Sequence, residues 1–76
     1  MFNVELYNKT AKKVIASAQA RTEAEASKIA RGFISRVKAA GTITNESNFD
    51  ISPRGYVIGQ TIHTANAVYD ITTGRM

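Results

Sequence analysis

The sequence has no cysteine, no tryptophan, one proline and one histidine. Without cysteine the chain forms no disulfide and offers no thiolate to a metal, so it fits a reducing compartment and we expect it in the cytoplasm. His63 and the scattered carboxylates follow neither the spacing of a zinc site nor that of a calcium-binding loop. The sequence therefore predicts no metal site and no cofactor.

Long apolar runs are also missing. In the opening MFNVELYNKT the apolar residues alternate with polar ones and Glu5 interrupts them, which is typical of a strand rather than a signal peptide. No segment approaches the roughly 20 apolar residues that a membrane-spanning helix needs. We expect no membrane partner.

Groups that could carry catalysis are equally scarce. The carboxylate that follows His63 most closely is Asp70, on the next predicted strand, and a lone His near a strand Asp is more often a surface contact than a catalytic set. The glycines stand singly, in neither a phosphate-binding loop nor a dinucleotide fingerprint. The sequence predicts a protein that is not an enzyme.

What the sequence does contain is one long helical segment, Thr22 to Gly41. Thr22 and Glu25 have the spacing of a capping box, and Gly41 is expected to end the helix in the left-handed conformation. Basic residues near the C-terminal end suit the helix dipole. At helical periodicity one apolar stripe forms, made of Ala26, Ile29, Ala30, Phe33, Ile34, Val37 and Ala40.

Strand-like runs surround this helix. Before it come residues 2–7 and 12–20, joined by a turn at 8–11; after it come residues 48–52, 56–64 and 67–72. Residues 42–44 are expected to be extended, 45–47 a loop, Ser52 to Gly55 a type I turn and 74–76 a frayed tail. The order β-β-α-β-β-β predicts one α+β domain over residues 1–76, with two layers: a single helix packed on one face of an antiparallel sheet. The pattern does not fix the order of the strands in the sheet.

Alternation assigns the strand side chains to two faces. The face toward the helix is predicted to hold Phe2, Val4, Leu6, Val14, Ala16, Ala18, Ala20, Phe49, Ile51, Tyr56, Ile58, Ile62, Tyr69 and Ile71. The open face is predicted to hold Glu5, Asp50 and Asp70 together with Tyr7, Ile15, Val57, His63 and Val68. These last five form a candidate second surface, either solvated or used to contact a partner or a second copy in a homodimer.

Ten basic residues against six acidic ones give a net charge of +4. On the helix, Lys28, Arg31, Ser35 and Lys38 share the face opposite the apolar stripe, with Arg36 nearby, and Lys9, Lys12 and Lys13 fall at the tip of the N-terminal hairpin. Such residues often only solvate a helix; the alternative is a cationic surface for phosphates or an acidic protein. Because the aromatics other than Tyr7 are assigned to the core, sequence-specific nucleic-acid readout is not expected, whereas non-specific phosphate contact stays open.

Gly32 has two interpretations. A glycine inside a helix costs about 1 kcal/mol relative to alanine, and this one falls on the exposed side. It is either a weak position that the fold tolerates, or the floor of a shallow groove, flanked by Lys28, Arg31 and Lys38, where the backbone of a partner comes close.

Residues 13–41 carry a resemblance to a known class of proteins. A strand of small residues that leads directly into T-x-A-E-A-x-x-I-A, as in VIASAQARTEAEASKIARGFISRVKAAG, resembles small phage-encoded host-takeover and anti-defence proteins, including some type I anti-CRISPRs. The resemblance implies a stoichiometric inhibitor in the cytoplasm of the host cell, docked on a protein or ribonucleoprotein complex that handles nucleic acid. A subtype that mimics DNA would need an acidic surface, which this chain does not offer.

The favoured function is therefore a phage or mobile-element inhibitor that binds its target through the basic helix face. The alternative is an accessory protein that binds nucleic acid directly and without sequence preference. The third hypothesis is a self-assembling subunit that uses the open sheet face.

Overall fold

The computed structural model of this chain describes residues 1–51 and 58–75. Its elements are β1 (Phe2–Asn8), β2 (Lys13–Ala20), α1 (Glu23–Ala40), β3 (Ile43–Phe49), β4 (Ile58–Thr64) and β5 (Val68–Arg75). One helix packs against a five-stranded antiparallel sheet, which confirms the predicted α+β fold and element order. The predictions for the Ser52 to Gly55 turn, for Tyr56 and Val57, and for Met76 lie outside the described residues.

The strands lie in the order β2-β1-β5-β4-β3, and every neighbouring pair is antiparallel. The first and last strands of the chain therefore pair with each other in the middle of the sheet. The two strands that flank α1 in sequence, β2 and β3, form the two edges. The chain consequently crosses from one edge of the sheet to the other through the helix.

The N-terminus of α1 forms as the sequence predicts. The Glu25 backbone N–H donates to Thr22 Oγ1 at 3.2 Å, and Glu25 Oε2 accepts from the Arg21 backbone N–H at 3.2 Å. The C-terminus differs from the prediction, because Gly41 has a φ of 176° and is extended rather than left-handed. The chain leaves the helix in an extended conformation and enters β3 two residues later.

The core lies between α1 and the face of the sheet that it covers. Its buried side chains form two adjoining clusters: Leu6, Val37, Ile62 and Ile71, and Val4, Ala20 and Ala26. Most of the predicted helix stripe packs here, but Ala40 is exposed, so its assignment to the stripe is wrong. The helix packs on β1, β5 and β2.

A β-bulge in β2 overturns part of the predicted alternation. Leu6 pairs with Ala16, whereas the next residue, Tyr7, pairs with Val14, so Ile15 is the extra residue between them. Ile15 packs against the core under the helix and Val14 is 40% exposed, the reverse of the predicted placements. A bulge shifts the phase of alternation by one residue, and a simple alternation count cannot detect it.

The segment after the helix was predicted least well. β3 runs without interruption through residues 45–47, which were predicted to be a loop, and Asp50 and Ile51 lie beyond its end. Ile51 is 74% exposed rather than inward. Phe49 pairs with Gly59, and by register this pair belongs to the face away from the helix, not to the core. An edge strand that is exposed along most of its length can have a polar sequence without apolar alternation. For this reason the polar residues 45–47 were predicted to be a loop.

The end of β5 and the start of β2 also differ from the prediction. Gly74 and Arg75 belong to β5 rather than to a frayed tail, because Phe2 pairs with Arg75 and the guanidinium lies 5.6 Å from the centre of the Phe2 ring. Lys12, predicted to start β2, lies in the turn with a φ of 56°. β2 begins one residue later.

Candidate partner-binding surfaces

The basic face of α1 is exposed along its whole length. It consists of Lys28, Arg31, Ser35 and Lys38, with Gly32 and Arg36 beside them, and all six residues are exposed. The acidic residues of the helix, Glu23 and Glu25, are confined to its first turn. Beyond that turn the exposed helix surface therefore carries positive charge only.

The tip of the β1–β2 hairpin holds three further exposed lysines, Lys9, Lys12 and Lys13. The turn is held by the Ala11 backbone N–H, which donates to Asn8 Oδ1 at 2.9 Å. It is also attached to β5, because the Lys9 backbone N–H donates to the Val68 carbonyl at 2.8 Å and the Val68 N–H donates to Thr10 Oγ1 at 3.0 Å. The backbone that carries the lysines is thus fixed on the body of the sheet.

The structure brings only part of the predicted cationic surface to one end of the molecule. α1 ends at Gly41, beside Thr64 and Asn66 of the β4–β5 turn, and the hairpin tip is bonded to Val68 just after that turn. The last turn of α1, with Lys38, therefore lies at the same end of the sheet as the hairpin tip. Lys28 is ten residues earlier, roughly 15 Å away along the helix axis.

Gly32 has open space around it. A Cβ built at this position would meet no atom within 4 Å. The position can therefore accept a larger side chain without any clash inside the protein. This suits either predicted interpretation and makes Gly32 a clean site for a test.

Beside α1, on the same side of the sheet, a cleft extends over the start of β4 and the end of β5. One part has a volume of about 500 Å³, and a second part of about 320 Å³ continues it along the helix. The two share Ala30, Ile58 and Thr73 as walls. We call them together the helix-side groove, lined by Phe2, Ala26, Ala30, Ile34, Ile58 and Thr73. Sequence reasoning missed this groove because it depends on which strands the helix leaves uncovered.

The sheet face away from the helix is not the mixed acidic and apolar surface that was predicted. Glu5 and Asp70 do lie on it by register, but they are 5% and 6% exposed. Thr61 and Thr72 are buried next to them, and Thr61 Oγ1 donates to Asp70 Oδ1 at 2.7 Å. Asp50, predicted here as well, is exposed beyond the end of β3.

The candidate second surface on this face is also reduced. Ile15 packs under the helix and so does not belong to it. Val57 lies outside the described residues, while Tyr7, His63 and Val68 are half-buried. Among the described residues, the apolar patch proposed as a possible contact surface is therefore smaller than the sequence indicated.

His63 does not stand opposite an acid. The hairpin register pairs His63 with Val68 and Asp70 with Thr61. Over residues 1–51 and 58–75, no three His, Asp or Glu side chains converge as metal ligands would.

Comparison with known protein families, curated proteins and solved structures finds no match to this chain. Among the described residues, no helix combines the length and the apolar character needed to cross a bilayer.

Proposed function

We propose that this chain is a small non-enzymatic inhibitor from a phage or another mobile element, which docks on a nucleic-acid-handling defence complex of the host through the basic face of α1. The observation that supports the proposal is the separation of charge on the helix. Lys28, Arg31 and Lys38 are all exposed, and both acidic residues of the helix lie in its first turn. Such a surface complements an acidic protein patch, and it would also attract the phosphates of a guide or target strand held in the complex.

Capture from host lysate with the tagged chain as bait tests this proposal. The wild type is expected to retain one defined complex, and a triple charge reversal, Lys28→Glu with Arg31→Glu and Lys38→Glu, is expected to lose it. The matched control reverses the three hairpin-tip residues, Lys9, Lys12 and Lys13. Retention of the complex by the helix variant, or loss only in the tip variant, would contradict docking through α1.

Gly32→Leu provides a second arm that leaves the charge unchanged. Because a Cβ at this exposed position meets no atom of the described residues within 4 Å, and because leucine favours a helix more than glycine does, the variant is expected to fold at least as stably as the wild type. Loss of the complex would then report steric exclusion of the partner rather than unfolding. Undiminished capture by Gly32→Leu rules out close approach of a partner backbone at this position.

Direct binding of nucleic acid is the second candidate, and the exposed lysines of the hairpin tip, at the same end as Lys38, favour it. Phosphate binding should weaken linearly in a plot of log affinity against log salt and should be seen with naked DNA or RNA. An electrophoretic or fluorescence titration at low salt checks this. Absence of binding to duplex and single strands at low salt would eliminate this candidate and leave protein docking.

A further inference from the structure

The sheet is wider than the helix that covers it. Five strands about 4.8 Å apart span about 19 Å, whereas a helix with its side chains is about 10 Å across. α1 packs mainly on β1, β5 and β2 and also covers Ile62 of β4. Among the described residues, the same face stays open over Ile58, at the start of β4, and over the exposed residues of β3. The helix-side groove lies at the boundary between the covered and uncovered parts.

Apolar side chains form the facing walls of this groove. On the helix side Ala26, Ala30 and Ile34 follow one another at intervals of four residues and form one ridge. On the sheet side Ile58 is 55% exposed, although it is a large apolar residue within a strand. An exposed isoleucine facing a ridge of small apolar residues is the arrangement that accepts apolar side chains from a partner.

Charge distinguishes the two rims. Ser27 lines the groove, and Arg31 and Lys38 come four residues after Ser27 and Ile34, so these two cations stand above its helix rim. On the strand side, Glu46 is exposed on β3 and accepts from Gln60 Nε2 at 3.4 Å. At the N-terminal end of α1, Glu23 lines the helix side of the groove and Arg75 lines the strand side. Beyond this first turn, a segment that lies in the groove meets positive charge toward α1 and negative charge toward β3.

We infer that the helix-side groove is the docking site for an amphipathic helix of the partner protein, with its apolar stripe on Ile58 and Ala30 and its acidic flank against Arg31 and Lys38. The inference rests on the proposed function, since the same partner would contact the basic face of α1. A helix fits because the ridge runs along α1 and because, among the described residues, the width of sheet beyond α1 is about that of one helix.

Selection from a displayed library of 16-residue helical peptides with randomised surface positions tests the inference. Enriched peptides are expected to carry apolar residues at i, i+3 or i+4, and i+7, with Asp or Glu on one flank of that stripe. Their affinity should fall about tenfold or more with Ile58→Glu and about tenfold with Arg31→Glu, because a buried charge and a reversed rim charge each oppose docking. Arg21→Glu, at an exposed basic residue that lines neither part of the groove, is the matched charge control and should leave affinity unchanged.

Circular dichroism shows whether Ile58→Glu folds, and Ile58→Ser repeats the test without a charge. Enriched peptides that bind Ile58→Ser and Ile58→Glu as well as they bind the wild type, or that lack an acidic flank, would overturn the inference. So would a concentration-dependent dimer that Ile58→Glu dissolves, since the occupant would then be a second copy of this chain.

The same variants separate the two proposals. A lysate complex that Ile58→Glu retains and the α1 charge reversal loses leaves the proposed function standing and removes the groove from it. Peptides that need Ile58 and Arg31, with no complex captured from lysate, support the groove alone.

Discussion

At the scale of single residues, Gly59 leaves room for the ring of Phe49, which occupies the space where a Cβ of residue 59 would lie. A Cβ at this position would lie 2.3 Å from the Phe49 ring and 3.0 Å from the Ile71 carbonyl oxygen. Phe49 is the cross-strand partner of Gly59, so the ring lies over the bare backbone of its partner. Phe49 is thus the group whose close approach requires glycine at position 59.

We predict that Gly59→Ala lowers the free energy of unfolding by about 1–3 kcal/mol, because the methyl group displaces the Phe49 ring. Chemical denaturation of Gly59→Ala, Phe49→Ala and the double variant measures this. The combined loss should be smaller than the sum of the two single losses by about 0.5 kcal/mol or more, since truncating the ring removes the clash. Strictly additive losses would show that the ring does not oppose a Cβ at Gly59.

Two buried threonines on the face away from the helix offer a matched pair. Thr72 Oγ1 is buried and has no hydrogen-bond partner among residues 1–51 and 58–75, whereas Thr61 Oγ1 donates to Asp70. Thr72→Val should raise the free energy of unfolding by about 1 kcal/mol, because it removes an unsatisfied buried hydroxyl. Thr61→Val should lower it by about 1–3 kcal/mol, because the Asp70 carboxylate loses a donor. Thermal denaturation of both variants measures these changes. Changes in the free energy of unfolding with the same sign in both variants would contradict the prediction.

At the scale of elements, α1 was the most predictable part of the chain. Its cap, its apolar stripe and its exposed basic face all follow from local spacing, which tertiary contacts rarely override in a long amphipathic helix. β3 was the least predictable, because an exposed edge strand can be polar along its length. The bulge at Ile15 and the groove beside α1 depend on contacts between distant segments, so alternation could not find them.

We predict that Thr22→Ala lowers the free energy of unfolding by about 1 kcal/mol, because the Glu25 backbone N–H loses its acceptor. Chemical denaturation of Thr22→Ala, with Thr22→Ser as the control, measures the effect. Serine retains the hydroxyl and should stay close to the wild type. An equal loss in both variants would assign the effect to packing of the threonine methyl group rather than to the cap.

At the scale of the whole molecule, the order of the strands in the sheet determines which side chains are buried and so contribute most to the free energy of unfolding. The sequence predicted two layers and one helix, but it gave no reason to place β5 at the centre of the sheet and β3 at its edge. That order separates Ile71, which is 3% exposed, from Ile58, which is 55% exposed. It also creates the groove, since the helix lies toward one side of the sheet.

The same substitution at these two isoleucines should therefore have unequal effects. Ile71→Ala is expected to lower the free energy of unfolding by about 2–5 kcal/mol, because it leaves a cavity under α1. Ile58→Ala is expected to change it by no more than about 0.5 kcal/mol, as for other exposed positions. Denaturation midpoints compare the two directly. A large loss at Ile58 would mean that its side chain supports the fold and is not available to a partner.

The pairing of β1 with β5 has a consequence for how the chain folds. Phe2 pairs with Arg75, so the central pair of strands joins residues from opposite ends of the sequence. Contacts of such long sequence separation slow folding, because a large loop must close before they form. During synthesis the β1–β2 hairpin and α1 emerge first, and the sheet stays without its middle strand until β5 has left the ribosome. The core is therefore expected to form only once both β1 and β5 are available to pair.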